Sequence, residues 1–314
     1  MTLSASGSSL PACRETPPRR GFFFGSPALP ILLLAGLLRF ALSDASAQTQ
    51  RDAKRGAYIA KASGCVGCHT ETTKDAPQLA GGRALKTPFG TFYGPNITPD
   101  PQSGIGRWTE ADFFRAMRLG ERPDGANYFP AFPYTSFTAM TDADLGDLWA
   151  YLRSVPPDAR ANRPHDVGFP YGWRFLVTPW KWLFFTPGPM PADPQLSRAQ
   201  DRGRYLVHAL GHCGECHTSR NAFGGPKKDR YLAGGKGPEG KGIPNLTPTR
   251  LKSWSDAELK HFLLTGETPD GDSANETMAE VVRNTTSQLT PEDLDAMIAY
   301  LRTLPPLPTE AKAK

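Results

Sequence analysis

Four cysteines stand in two pairs, Cys65 with Cys68 and Cys213 with Cys216, and each pair is followed at once by a histidine, His69 and His217. In a C-x-x-C-H segment wound on one helical turn, two thiols reach the same face and can add across two vinyl groups of a haem. The adjoining imidazole offers a nitrogen to the iron, so the motif reads as c-type haem attachment. The sequence therefore predicts two covalently bound haem c groups. Four-cysteine zinc sites bring their pairs within about 15 to 20 residues, whereas Cys68 and Cys213 are 145 residues apart. A thioredoxin-like redox pair lacks its strand-helix-strand setting here, and two disulfides would leave both histidines unexplained.

Iron held by one histidine keeps a second axial position, and what fills it separates a carrier from a catalyst. A methionine thioether opposite histidine closes the iron and raises its potential. In the second half of the chain Met278, within Thr277-Met278-Ala279-Glu280-Val281-Val282, lies in loop sequence a dozen residues before a final helix and is the expected ligand, while Met297 falls on the apolar face of that helix. In the first half the expected ligand is Met140, just before the corresponding helix. Met117 lies inside an earlier helix, and His165 competes from the segment beyond the domain. His208, His212 and His261 read as surface or packing residues.

The elements that must position these groups occur twice. Arg55-Gly56-Ala57-Tyr58 matches Arg202-Gly203-Arg204-Tyr205, Pro95-Asn96-Ile97-Thr98 matches Pro244-Asn245-Leu246-Thr247, and Ala150-Tyr151-Leu152-Arg153 matches Ala299-Tyr300-Leu301-Arg302. Order is kept at offsets of 146 to 149 residues, with one extra residue before the first cysteine of the second copy. Such spacing indicates a duplicated domain rather than a solenoid. Thr109-x-x-Asp112, Thr141-x-x-Asp144, Ser255-x-x-Glu258 and Thr290-x-x-Asp293 fit helix starts in which a hydroxyl caps an orphan amide and a carboxylate reaches back. Leu145, Leu148, Trp149 and Leu152, like Leu294, Met297, Ile298 and Leu301, recur at helical spacing, and each run stops at a Pro-Pro pair. No pair of alternating strands is evident. The expectation is an all-α chain of two tandem domains, 48–158 and 196–308, each a few helices with long loops wrapped around a haem. The joining segment, 159–195, holds three of the six tryptophans and reads as a strap across both domains, or alternatively as a docking surface for a dehydrogenase or for peripheral contact with the membrane interface.

With 314 residues, 39% hydrophobic, and 31 each of Gly and Pro, the chain can build packed cores but not a coiled coil. A net charge of +5 without a long basic run gives no argument for a nucleic-acid partner. Arg14, Arg19 and Arg20 precede an apolar stretch and Ala45-Ser46-Ala47, the order of a secretory signal peptide cleaved near Ala47. Residues 309–314 read as a polar tail.

With the haem motifs, Tyr128-Phe129-Pro130-Ala131-Phe132-Pro133-Tyr134-Thr135-Ser136 and Gly211-His212-Cys213, the chain resembles the dihaem class I cytochrome c family. In particular it resembles the cytochrome c subunits of periplasmic alcohol, aldehyde and molybdenum-hydroxylase dehydrogenases. It departs from the family pattern at Phe132-Pro133, where Met-Pro is common, and in lacking a third haem motif. The resemblance implies a periplasmic electron carrier rather than an enzyme. Such a carrier is reduced by a dehydrogenase and oxidised by an oxidase, another cytochrome or quinone. The rival reading is a dihaem peroxidase, which needs one haem with an open axial position.

Overall fold

The computed structural model describes residues 51–237 and 242–309; the expected leader and its cleavage point, and all but the first residue of the polar tail, lie outside them. The first half runs α1 (Ala53–Ala62), α2 (Cys65–His69), β1 (Ala84–Thr87), β2 (Gly90–Tyr93), α3 (Glu110–Leu119), α4 (Tyr134–Phe137) and α5 (Asp142–Ser154). The joining segment supplies β3 (Asp166–Val167) and α6 (Val177–Phe184). The second half runs α7 (Arg198–Tyr205), α8 (Gly214–His217), β4 (Gly235–Lys236), β5 (Gly242–Ile243), α9 (Pro248–Leu251), α10 (Asp256–Thr265), α11 (Glu276–Asn284) and α12 (Pro291–Thr303).

Each half is built on a crossing of its first and last helices, and glycine sets how close they come. A Cβ on Gly56 would stand 1.9 Å from the carbonyl oxygen of Asp147, and one on Gly203 would stand 1.8 Å from that of Ala296. The repeated Arg-Gly-x-Tyr is thus the contact where α1 meets α5 and α7 meets α12. Leu145, Leu148 and Leu152 of α5, and Leu294, Met297, Ile298 and Leu301 of α12, are buried, and they belong to one apolar cluster fed by both halves. The extra residue before Cys213 is absorbed where α7 continues as a π-helical turn, Leu206–Leu210, a wider turn that takes in a residue without ending the helix.

The helix starts read from sequence divide into two kinds. Thr109 with Asp112 and Ser255 with Glu258 form complete capping boxes. Thr141 and Thr290 also cap, accepting from the amides of Asp144 and Asp293, but those two carboxylates do not reach back; they bond to arginine and tyrosine partners described below.

Strands are present although no alternation announces them: β1 and β2 pair antiparallel and β3 adds to β2. Four-residue strands are too short for alternation to register. At Gly90, φ is +130°, and a Cβ would lie 2.4 Å from the carbonyl oxygen of Asp166, so glycine there lets the joining segment dock as the third strand.

Candidate haem sites

In both halves the C-x-x-C-H segment is a short helix, α2 or α8 with Cys213 at its start, so two thiols and an imidazole are presented within a turn or so of each other. None of the four cysteines is paired in a disulfide. Burial pushes Cys65 and Cys213 up to about 12. Burial, with the carboxylate of Glu280 nearby, pushes Cys68 up to about 11, and burial raises Cys216 as well. The sulfurs of Cys65, Cys68 and Cys213 thus sit in surroundings that favour neutral, apolar contacts, while Cys216 is exposed.

The histidines are oriented by their second nitrogens. His69 Nδ1 lies 2.7 Å from the Pro95 carbonyl oxygen, and His217 Nδ1 lies 2.7 Å from that of Pro244. A carbonyl only accepts, so Nδ1 carries the hydrogen and Nε2 presents its lone pair. Burial lowers both imidazoles and keeps them neutral, with the carbonyl bond opposing part of that effect. The repeated Pro-Asn-x-Thr now has a purpose. The prolyl carbonyl holds the histidine, while Asn96 Nδ2 donates to Asp158 O at 2.8 Å and Asn245 Nδ2 to Leu307 O at 2.8 Å, tying each loop to the chain leaving the final helix.

Met140 is fully buried in the common core directly before α5, next to Ala139, whose carbonyl accepts from Met190 N–H at 3.1 Å. Met117 is buried on the inner face of α3 with Phe113 and Ala116. Met278 differs from its expected setting: it lies in α11 rather than in a loop, with its amide capped by Asn275 at 2.9 Å, and is half-buried. The helix escapes a reading of the sequence because Gly271, Asp272 and Ser273 just before it have the composition of a loop. His165 is built differently from His69 and His217. Its Nδ1 accepts the amide of Tyr93 at 3.2 Å, so Nε2 carries the hydrogen and has no lone pair for a metal. His165 packs on Phe92 and Phe129. His208 stacks on Tyr231 and His212 meets Phe137 edge-on, both as packing residues, while His261 is exposed beside Glu267.

Per half, two sulfurs one helical turn apart and an imidazole with a free Nε2 fit the vinyl groups and iron of a haem. The sequence pattern of the family described as cytochrome c matches residues 53–156 and again 200–305. The chain belongs to the cytochrome c family. It is 48% identical over 258 residues to a diheme cytochrome c-type protein of Cereibacter sphaeroides, covering 81% of this chain and 86% of that one. It is 37% identical over 290 residues to the cytochrome c subunit of a quinone alcohol dehydrogenase of Gluconobacter oxydans, covering 87% of this chain and 59% of the relative. With the cytochrome subunit of a fructose dehydrogenase of Gluconobacter japonicus it shares 38% identity over 258 residues, 80% of this chain and 52% of that one. The cytochrome carries two covalently bound haem c groups, one in each cytochrome c domain.

The two halves of the cytochrome meet at their cysteine segments. Arg83, behind α2, pairs with Glu280 of α11 at 2.7 Å. In exchange Glu215, inside the second motif, accepts from the Thr135 and Ser136 hydroxyls of α4 at 2.6 and 2.9 Å. Each motif therefore abuts the segment of the other half that carries or precedes its methionine. Beside this contact Tyr58 donates to Asp293 Oδ2 at 2.6 Å and Tyr205 donates to Asp144 Oδ2 at 2.6 Å. Arg202 grips Asp293 through two bonds of 2.8 and 2.7 Å, and Arg55 pairs with Asp144 and Asp147. In the sequence Tyr58 and Tyr205 stand out only as repeated letters, and Asp144 and Asp293 only as caps. Their partners lie 61 to 235 residues away, beyond any local spacing rule.

Proposed function

We propose that the protein is an exported, periplasmic dihaem electron carrier that takes electrons from a dehydrogenase of the alcohol, aldehyde or molybdenum-hydroxylase type. It passes them to an oxidase, another cytochrome or quinone. The observation that carries the reading is the pair of matched imidazoles, His69 and His217, each with Nδ1 committed to a prolyl carbonyl and Nε2 free. Cys65, Cys68, Cys213 and Cys216 would tether the two haems, and His69 with Met140 and His217 with Met278 would hold their irons. The haem supplies reversible one-electron chemistry when bound. The prolyl carbonyls fix the tautomer and raise imidazole basicity, and the apolar core around Met140 excludes water from the first site. The contact between the two cysteine segments supports passage of an electron from one half to the other. Relatives named as cytochrome c proteins or subunits favour a carrier over a catalyst. The order of arginines, apolar stretch and Ala45-Ser46-Ala47 supports export.

An absorption-monitored redox titration tests this. Two low-spin haems, inert to peroxide and showing the ferric-methionine band at long wavelength, are expected. Met140→Ala and Met278→Ala should each abolish that band at one haem and lower its potential. A high-spin haem in the unaltered protein that consumes peroxide at a peroxidase's rate would overturn the reading.

A further inference from the structure

The turn before α6 and α6 itself, residues 174–184, are apolar on both sides. Val177 is buried against Phe92 and Phe129, and Trp180 donates its indole N–H to the Phe223 carbonyl at 3.0 Å. Phe184 covers Gly225, where a Cβ would lie 2.4 Å from its ring. The opposite side holds positions 175, 176, 179, 182 and 183, the spacing of one helical face. There Phe175 is 62% exposed, Leu176 38%, Trp182 80% and Leu183 72%.

The two cations of the stretch turn inward. Arg174 donates to Asn127 O at 2.9 Å and lies over the Phe129 ring, and Lys181 donates to the carbonyls of Leu119 and Gly120 at 2.6 and 3.1 Å. A helix that faces water does the reverse. Phe169, Tyr171 and Trp173, all at least half exposed, extend the same segment. At roughly 200 Å² per large side chain, the exposed apolar area is on the order of 900 Å². The largest patch on an ordinary soluble monomer is about 300–600 Å².

We propose that this face seats in the headgroup region of a lipid bilayer. Hydrogen-bonding capacity separates lipid from protein as the occupant. The face offers the indole N–H groups of Trp173 and Trp182 and the Tyr171 hydroxyl, whereas a protein interface of standard size carries about ten direct hydrogen bonds. Trp and Tyr are also the side chains that settle at bilayer interfaces. No helix among the described residues is long and apolar enough to cross a membrane, so seating is in the interface plane.

The test is flotation of the haem-loaded protein with vesicles of phosphatidylethanolamine and phosphatidylglycerol, alongside phosphatidylcholine vesicles. Tryptophan quenching by brominated acyl chains and sedimentation without lipid complete the set. Binding to both kinds of vesicle, with quenching, is expected. Trp182→Ser with Leu183→Ser should lower the partition coefficient at least ten-fold while the haem spectrum is unchanged, which shows that the fold survives. Absence of binding to either vesicle, equal binding by the variant, or a dimer in sedimentation that the variant abolishes without any lipid binding would each overturn the proposal. None of these outcomes depends on the redox titration, so the carrier reading and the lipid reading stand or fall separately.

Discussion

Replacing Tyr58 or Tyr205 by phenylalanine removes one oxygen from the clamp between the halves and leaves the ring in place. Each hydroxyl donates to a carboxylate at 2.6 Å and accepts a backbone amide, from Thr290 at 3.2 Å for Tyr58 and from Thr141 at 3.0 Å for Tyr205. A hydrogen bond to a charged group contributes about 1.5–3 kcal/mol. Asp293 and Asp144 keep their arginines in the variants, so the lower part of that range, about 1.5–2 kcal/mol for each tyrosine, is expected. Arg202 also feels the charge of Asp144 across the boundary. The two clamps are therefore one network, and the double variant should depart from the sum of the singles by about 0.5 kcal/mol or more. The assay is guanidinium unfolding of the haem-loaded protein, followed by far-ultraviolet circular dichroism and by haem absorbance. The unaltered chain should lose both signals in one transition, and the double variant should separate them. Tyr171→Phe, at an exposed tyrosine, serves as the control. Single variants within about 0.5 kcal/mol of the unaltered protein, the range of ordinary surface substitutions, would refute the reasoning.

Two further predictions rest on the helix crossing and on a buried imidazole. Gly56→Ala and Gly203→Ala place a methyl group within 2 Å of a backbone oxygen that cannot retreat without parting the helices; each should cost about 2–3 kcal/mol or more and cut the yield of haem-loaded protein, read by absorbance and thermal midpoint. Burial, and to a lesser degree Arg204, holds His208 at about 4, where it stacks on Tyr231 with Nε2 2.6 Å from the Tyr300 hydroxyl. The folded state refuses a proton that the unfolded chain accepts near pH 6.5, so this contribution is complete above pH 6.5 and declines as pH falls toward 4. The loss is about 3 kcal/mol. His208→Phe, which keeps the stack, should flatten the dependence of unfolding free energy on pH across that window.

What is legible in the sequence is whatever repeats or sits close along the chain. Two cysteine-histidine motifs, two Pro-Asn-x-Thr segments and two periodic final helices are readable because covalent spacing alone defines them. The hairpin at 84–93 is not, since its strands are too short for alternation and the third strand arrives from beyond residue 160. Asp144 is legible by half. Its place three residues after Thr141 fits a cap, but the carboxylate finds a tyrosine in the other half a better partner. His165 can be judged only with a structure, because a lone histidine announces no tautomer and the amide of Tyr93 decides it.

Tyr58 to Asp293 and Tyr205 to Asp144 are one contact made twice with the halves exchanged. That is an isologous interface, the kind two identical subunits form about a two-fold axis. The chain holds within one molecule an arrangement that two copies of a one-haem protein could make as a homodimer, and the strap keeps the halves at an effective concentration independent of how much protein is present. Fusion also frees the halves to diverge. In a homodimer every substitution appears on both sides of the axis, whereas here Phe132 and the inserted residue in the π turn each stand on one side only.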